Sequence, residues 1–182
     1  LAERYPSTFS QLVPLTNDSS IHVAFQATLS LGGFPAQASG PVLISVLEEY
    51  GSEPLFRSAI LSSEAGSSVN FIKLLLNKSK WMSSSNDDNI AFAEDFGFIS
   101  GARNRKEDLL ALMDLLSENQ LDGKIRVAMI SGLAKGIKSP KNKHTSDDAV
   151  LQYISKWKTD EPNEMKTALE QLKSALGDTL KK

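Results

Sequence analysis

Apolar residues recur along most of the chain at the three- and four-residue spacing of amphipathic helices, and the two-residue alternation of a half-buried strand is missing. The clearest case is the segment 106–117, in which five leucines and Met113 form one broad apolar face. Clusters of glycine, proline, serine and asparagine separate the segments. The pattern therefore predicts about ten short helices and no strands, at about 7–15, 20–31, 41–50, 54–62, 69–76, 90–101, 106–117, 123–138, 147–158 and 163–180.

Residues that break helices determine the less regular parts of this prediction. Gly40-Pro41 is interpreted as interrupting or opening the third helix, and Gly97, a poor helix former, weakens the helical pattern of the sixth. The polar stretch 78–89 is predicted to be the longest loop, and a second long loop follows from Ser139 to Thr145. The remaining connections are short.

An apolar residue followed by small alanines recurs near the start of several predicted helices. With Val23, Phe56, Phe92 and Ile125 as anchors, the separations are 33, 36 and 33 residues. A period of about 35 residues is one helical hairpin with its loops, and such hairpins stack because none can bury its apolar face alone. The sequence therefore predicts an all-α fold, a right-handed α–α superhelix of the HEAT or armadillo type, with about five hairpins in a single domain over 1–182.

Three segments of the chain, 23–32, 53–62 and 130–136, resemble HEAT-type repeats. More narrowly, they resemble the helical region of large bacterial extracytoplasmic proteins, often labelled membrane-bound dehydrogenase or haem-binding proteins. In that family the repeats lie between a β-propeller sugar-dehydrogenase-like domain and a C-terminal cytochrome c domain. The resemblance covers about 17–136 and implies a periplasmic or otherwise extracytoplasmic location. Because the chain begins with Leu1, we expect a segment of a larger exported protein.

The haem-attachment motif of that family, Cys-x-x-Cys-His, is missing because the chain contains no cysteine. No haem ligand or dehydrogenase residue can therefore be transferred to this chain from the resemblance, and a disulfide or a thiolate nucleophile is excluded within it. The resemblance implies, as one alternative function, an accessory part of an extracytoplasmic haem-containing sugar dehydrogenase-like protein.

Charge and hydropathy argue against two further classes of protein. The 182 residues contain 20 Lys and Arg against 22 Asp and Glu, a formal charge of −2, whereas a protein dedicated to the phosphate backbone usually has a basic excess. Nucleic-acid binding is therefore the weakest alternative. No apolar run approaches the roughly 18–20 residues of a membrane-spanning helix, and no signal-peptide pattern is present.

No group of residues in the sequence has the spacing of a catalytic or metal site. His22 lies beside a serine-rich turn, but adjacency in sequence is not the geometry of a catalytic triad. The segment 86–89 lacks the alternating ligands of a calcium loop, and 132–139 lacks the strand and the lysine spacing of a phosphate-binding loop. We therefore expect a chain that is not an enzyme and carries no catalytic residue, cofactor or metal.

Two arginines follow the apolar anchors of their helices directly, Arg57 after Phe56 and Arg126 after Ile125. A planar guanidinium can tie neighbouring hairpins together through several directed hydrogen bonds to carboxylates or turn carbonyls. Asp18 or Glu53 is a candidate partner for the first arginine, and Asp122 for the second. Alternatively, both arginines point into a concave groove and contact a partner.

These observations predict a structural or interaction scaffold: a curved platform that spaces flanking domains or binds a protein or peptide along its concave side. The predicted interaction face consists of exposed residues at His22, Gln26, Arg57 and Arg126, with Lys135 from the local basic cluster. Specificity of such scaffolds depends on surface side chains that follow no general code. The sequence therefore predicts the kind of partner but not its identity.

Overall fold

The computed structural model describes residues 6–118, 120–139, 148–155, 157 and 163–180. Within these ranges the chain forms ten α-helices and one 3₁₀ turn and no strand, so the all-α prediction is confirmed. None of these helices is both long and apolar enough to span a membrane. The helices are α1 (Pro6–Leu15), α2 (Ile21–Leu31), α3 (Ala36–Tyr50), α4 (Pro54–Ser62), α5 (Val69–Lys78), α6 (Asp87–Arg103), α7 (Lys106–Ser117), α8 (Gly123–Ile137), α9 (Asp148–Ser155) and α10 (Asn163–Leu180), and the 3₁₀ turn is Trp81–Ser83.

Most helices lie where the apolar pattern placed them. The bounds of α7 and α10 are those predicted, and α1, α2 and α8 each differ from the prediction by one residue. Helix α9 is described from Asp148 to Ser155, so its predicted ends at Asp147 and Lys158 lie outside the described residues, as does the predicted loop from Pro140 to Thr145.

Helix α3 begins at Ala36 and continues through Gly40-Pro41, so the interpretation of that pair as an interruption or a helix start is wrong. The carbonyl of Pro35 accepts two main-chain N–H groups of the first turn. Pro41 lies in the second turn, where its missing N–H removes one helical hydrogen bond, that to the Gln37 carbonyl. Gly40 packs against α5, since a Cβ there would lie 3.2 Å from the Leu74 side chain.

The polar stretch 78–89 is a shorter loop than predicted because two helical segments enter it. The 3₁₀ turn Trp81–Ser83 inserts Met82 into the core. Helix α6 begins at Asp87, where the side chain of Asn86 accepts a hydrogen bond of 2.9 Å from the Asn89 N–H. A capping residue within a polar run therefore starts the helix three residues before its first apolar position.

Contacts between residues divide the chain into two compact units, one ending at Trp81 and the other beginning at Met82. The first unit contains α1–α5 and the second contains α6–α10. The single repeat domain over 1–182 and its superhelical form stay predictions. Fully buried side chains of the first unit include Leu31, Leu43, Leu47, Ile60, Ile72 and Leu75. Fully buried side chains of the second include Phe92, Phe96, Leu112, Leu116, Met129 and Leu133.

In the first unit, α2 and α4 pack side by side and run in the same direction. The rings of Phe25 and Phe56 meet edge-on, with centroids 5.7 Å apart. Further along, a Cβ on Gly32 would lie 3.0 Å from the Cβ of Ser63. Both pairs join residues 31 positions apart, so the two helices are parallel. Helix α3 connects them.

In the second unit, α6 and α8 make backbone-to-backbone contact through four glycines. A Cβ on Gly97 or Gly101 would clash with a carbonyl oxygen of α8, and one on Gly132 or Gly136 would clash with a carbonyl oxygen of α6. Numbers rise together on the two helices, which therefore run in the same direction. Gly97 lies within α6, which continues through it although the sequence pattern was weakest there. The glycine provides the surface on which α8 makes contact.

A hydrogen bond joins α9 to α7 in the second unit. The Tyr153 hydroxyl donates to a carboxylate oxygen of Asp114 at 2.5 Å. This hydrogen bond, which ionisation of the phenol would break, raises the pKa of Tyr153, and the neighbouring negative charge raises it further. The hydrogen bond therefore forms only while the Tyr153 hydroxyl is protonated.

Candidate interaction groove

A shallow groove runs between α1 and α2, and two of the predicted interaction residues line it. The groove has a volume of about 350 Å³. His22 and Gln26 lie one helical turn apart on its α2 side, with exposed side chains. Its other lining residues are Leu12, Leu15, Val23, Ala27 and Ser30. This set of seven residues is called the α1–α2 groove below.

The surface around the α1–α2 groove is apolar and nearly uncharged. Four of the six large apolar side chains that are exposed in the described residues belong to α1 and α2, namely Leu15, Ile21, Val23 and Leu29. Asp18 is the only Asp, Glu, Lys or Arg between positions 5 and 47, and His22 is the only histidine there. The carboxylate of Asp18 accepts a hydrogen bond of 2.8 Å from the Ser20 N–H, in the turn that precedes α2. Such concentrated exposed apolar area is typical of interaction surfaces.

The α1–α2 groove lies on a different side of α2 from the contact with α4. Phe25 and Gly32 define the direction of the α4 contact. At about 100° per residue, the mean direction of His22, Gln26 and Ser30 around the helix axis is roughly 110–120° from the direction of the α4 contact. One side of α2 is therefore packed on α4, and the groove opens on another side, between α2 and α1.

The side chain of Arg57 is a structural tie of α4, and the prediction that it is exposed is wrong. Only 8% of the residue is accessible. Its Nη1 donates to the carbonyl oxygens of Gly51 at 2.9 Å and Ser52 at 3.3 Å, both in the turn between α3 and α4. The acceptors are turn carbonyls, as one of the interpretations allowed, but they lie five and six residues before Arg57, so a tie to a neighbouring hairpin stays a prediction. The guanidinium satisfies carbonyl groups that the end of α3 leaves without helical partners.

Arg126 is also buried, with 7% of the residue accessible, so the prediction that it is exposed is wrong as well. Its guanidinium carbon lies 6.0 Å from the centre of the Trp157 ring, within the range of a cation–π contact. The carboxylate of Asp122, its predicted partner, caps α8 by accepting a hydrogen bond of 2.9 Å from the Lys124 N–H. The residue thus packs within the second unit.

Lys135 is exposed, as predicted, and forms an ion pair with Glu94. The pair connects α8 to α6 beside the glycine contacts, where Gly132 approaches the Glu94 carbonyl. Because both side chains are largely in water, the pair adds little stability. Of the five predicted interaction residues, the structure therefore brings only His22 and Gln26 together in one groove.

Five residues of the groove were not predicted as interaction residues: Leu12, Leu15, Val23, Ala27 and Ser30. Helical spacing assigned Val23 to a repeat anchor, whereas the residue is 37% exposed and the other three anchors are buried. The sequence signal that could have indicated an exposed apolar surface is the nearly uncharged stretch 5–47. Without charged residues, the sequence does not show which side of these helices faces solvent. A second cavity, of about 400 Å³, lies between α3 and α5 and was not predicted either, because α3 was expected to begin at Gly40-Pro41.

Within the described ranges, no three His, Cys, Asp or Glu side chains are grouped so that they could hold a metal ion. Comparisons with protein-family models, curated proteins and solved structures gave no match. The resemblance to HEAT-type repeats and to haem-binding dehydrogenases therefore stays an expectation from the sequence. The groove itself is the feature from which a function can be inferred.

Proposed function

We propose that this chain is a non-catalytic scaffold of stacked helical hairpins that binds a protein or peptide partner through the α1–α2 groove. The stacking part of the proposal is supported by the parallel helix pairs. Residues 31 positions apart meet between α2 and α4, and the α6–α8 glycines meet residues 32 to 38 positions away, such as Met129 for Gly97 and Glu94 for Gly132. These offsets bracket the period of about 35 residues that the apolar anchors predict.

The binding part of the proposal depends on one observation: an open groove between two helices whose surroundings combine exposed apolar side chains with almost no charge. A surface of this kind gains free energy by burial against apolar groups and offers nothing to a highly charged ligand. A groove between two helices suits an amphipathic helix that lays apolar residues at positions i, i+3, i+4 and i+7 into it. Gln26 and Ser30 add neutral hydrogen-bonding groups to its lining.

Selection from a displayed library of random peptides tests this function, because it presents many candidate ligands at once and requires no identified partner. The library presents peptides of about 16 residues, long enough for four helical turns, to the full chain. We expect enrichment of amphipathic sequences with apolar residues at helical spacing. Their affinity should fall at least about tenfold for Val23→Glu, which buries an unpaired charge in the complex.

Leu55→Glu is the matched control, because Leu55 is the most exposed large apolar residue of α4, lies outside the groove and receives the same substitution. It should bind the selected peptides like the unmodified chain. The proposal is wrong if no peptide is enriched above background, or if the peptides bind the Val23→Glu variant as tightly as the control.

A further inference from the structure

His22 is the only titratable residue among the seven that line the α1–α2 groove. Its exposed side chain lies in the first turn of α2, one helical turn before Gln26 and next to the apolar Val23. The other six lining residues are apolar or neutral. Because imidazole is the side chain that takes up a proton between pH 5 and 8, acid can place one positive charge in an otherwise uncharged groove.

Two carboxylates lie beside His22 without lining the groove. Asp18 precedes it by four residues, in the turn where its carboxylate accepts the Ser20 N–H. Glu53 is the N-cap residue of α4, and the offset of 31 residues between α2 and α4 sets it level with His22. Because both groups are acidic, neither repels a positive charge on His22.

Among the described residues, the helices packed against α2 bring no other charge to the groove. Helix α1 contains no acidic, basic, histidine or tyrosine residue. Arg57, the only such residue of α4, is bonded to carbonyls of the turn before its own helix. In α3 such residues are confined to the last turn, at Glu48, Glu49 and Tyr50, and none of the three lines the groove. The charge of the groove therefore depends on His22.

A bound peptide removes water from the lining of the groove, at a cost in free energy that depends on the proton of His22. Covering an imidazolium without an acidic partner costs far more than covering a neutral imidazole, because the charged form loses more hydration free energy. An apolar peptide therefore binds the chain with neutral His22 more tightly. By thermodynamic linkage, the proton and the peptide then weaken each other's binding.

We infer that the α1–α2 groove is regulated by a proton: it binds an apolar helical partner tightly while His22 is neutral and weakly once His22 is protonated. The inference rests on the proposed function, because it assigns a regulation to the same groove. It makes the scaffold a platform that exchanges its partner between neutral and mildly acidic surroundings.

Fluorescence anisotropy with one labelled peptide at about pH 7.5 and about pH 5.5 tests the regulation. The peptide is selected at the higher pH from a library made without Asp, Glu and His, and both its ends are blocked, so that its own charge does not change. We expect its Kd for the unmodified chain to rise at least about threefold at the lower pH.

His22→Gln keeps an exposed, neutral, hydrogen-bonding side chain in the groove, and its Kd should be the same at both pH values. The matched control is His144→Gln, which removes the only other histidine of the chain and should leave the pH dependence unchanged. Calorimetric titration at about pH 6.5, in two buffers of different ionisation enthalpy, gives a second readout. Peptide binding should release protons from the unmodified chain and none from His22→Gln.

The outcomes separate the inference from the proposed function. A peptide that binds the unmodified chain equally at both pH values, or whose pH dependence and proton release persist in His22→Gln, overturns the regulation and leaves the groove as the binding surface. Failure to select any peptide at the higher pH contradicts the proposed function and the inference together. Circular dichroism at both pH values establishes that each variant is folded.

Discussion

At the residue scale, the two buried arginines show what repeat position can and cannot predict. Their recurrence directly after an apolar anchor indicated a tie between hairpins, whereas Arg57 bonds two carbonyls of the turn that precedes its own helix. Their burial could not be predicted from the sequence, because the long aliphatic part of an arginine side chain can pack on apolar surface in either an exposed or a buried position. Arg126 packs on Trp157, which is 31 positions away and outside any local pattern.

Arg57→Ala should lower the free energy of unfolding by about 2–3 kcal/mol, because it removes charge-assisted hydrogen bonds and leaves the carbonyls of Gly51 and Ser52 without this donor. Urea unfolding followed by circular dichroism measures the change. Lys73→Ala, which removes an exposed cation from α5, should change the value by less than about 0.5 kcal/mol. Equal effects of both substitutions would contradict a tie through Arg57.

The Tyr153–Asp114 contact predicts a stability change at high pH. Because the pKa of Tyr153 is raised in the folded chain, the hydrogen bond stabilises the fold fully below the ordinary tyrosine pKa. This contribution is lost as the pH rises through the higher folded-state pKa. The unmodified chain should therefore lose more stability than Tyr153→Phe between about pH 9 and 12, by less than about 1 kcal/mol at this partly exposed site. Parallel pH curves for the two proteins would show that the contact is absent in solution.

At the element scale, helix bounds were largely predictable and helix neighbours were not. The sequence pattern places the ends of α7 and α10 to the residue, although no side chain caps the start of α7. One exception is α6, which begins three residues earlier than predicted. The other is α3, in which a proline in the second turn costs one hydrogen bond and does not end the helix. The glycines of α6 and α8 were visible in the sequence at four-residue spacing. Only the structure shows that the two pairs face one another.

Gly97→Ala should lower the free energy of unfolding by about 2–3 kcal/mol, because its Cβ would clash with the Met129 carbonyl and force α6 and α8 apart. The matched control is Gly177→Ala in α10, where a Cβ meets no atom within 4 Å. There the substitution should be neutral or stabilise by up to about 1 kcal/mol through helix propensity. Urea unfolding of both variants gives the comparison. An equally mild effect at Gly97 would mean that the two helices are not in backbone contact.

At the scale of the whole molecule, the sequence predicted the all-α class and part of the candidate site. His22 and Gln26 were predicted as interaction residues and line the same groove. The groove itself was not predictable, since it depends on how α1 packs on α2 and on which apolar positions that packing leaves uncovered. Val23 illustrates the limit, because its spacing fits a core anchor and its surroundings expose it.

The central claim is that the α1–α2 groove is the binding surface, and methyl NMR during titration with a selected peptide tests it most directly. We predict that the largest chemical-shift changes occur at methyl groups of Leu12, Leu15, Val23 and Ala27, and that Leu133 in the second unit stays unchanged. Saturating peptide that leaves the four groove residues unshifted, or that shifts Leu133 most, would contradict it.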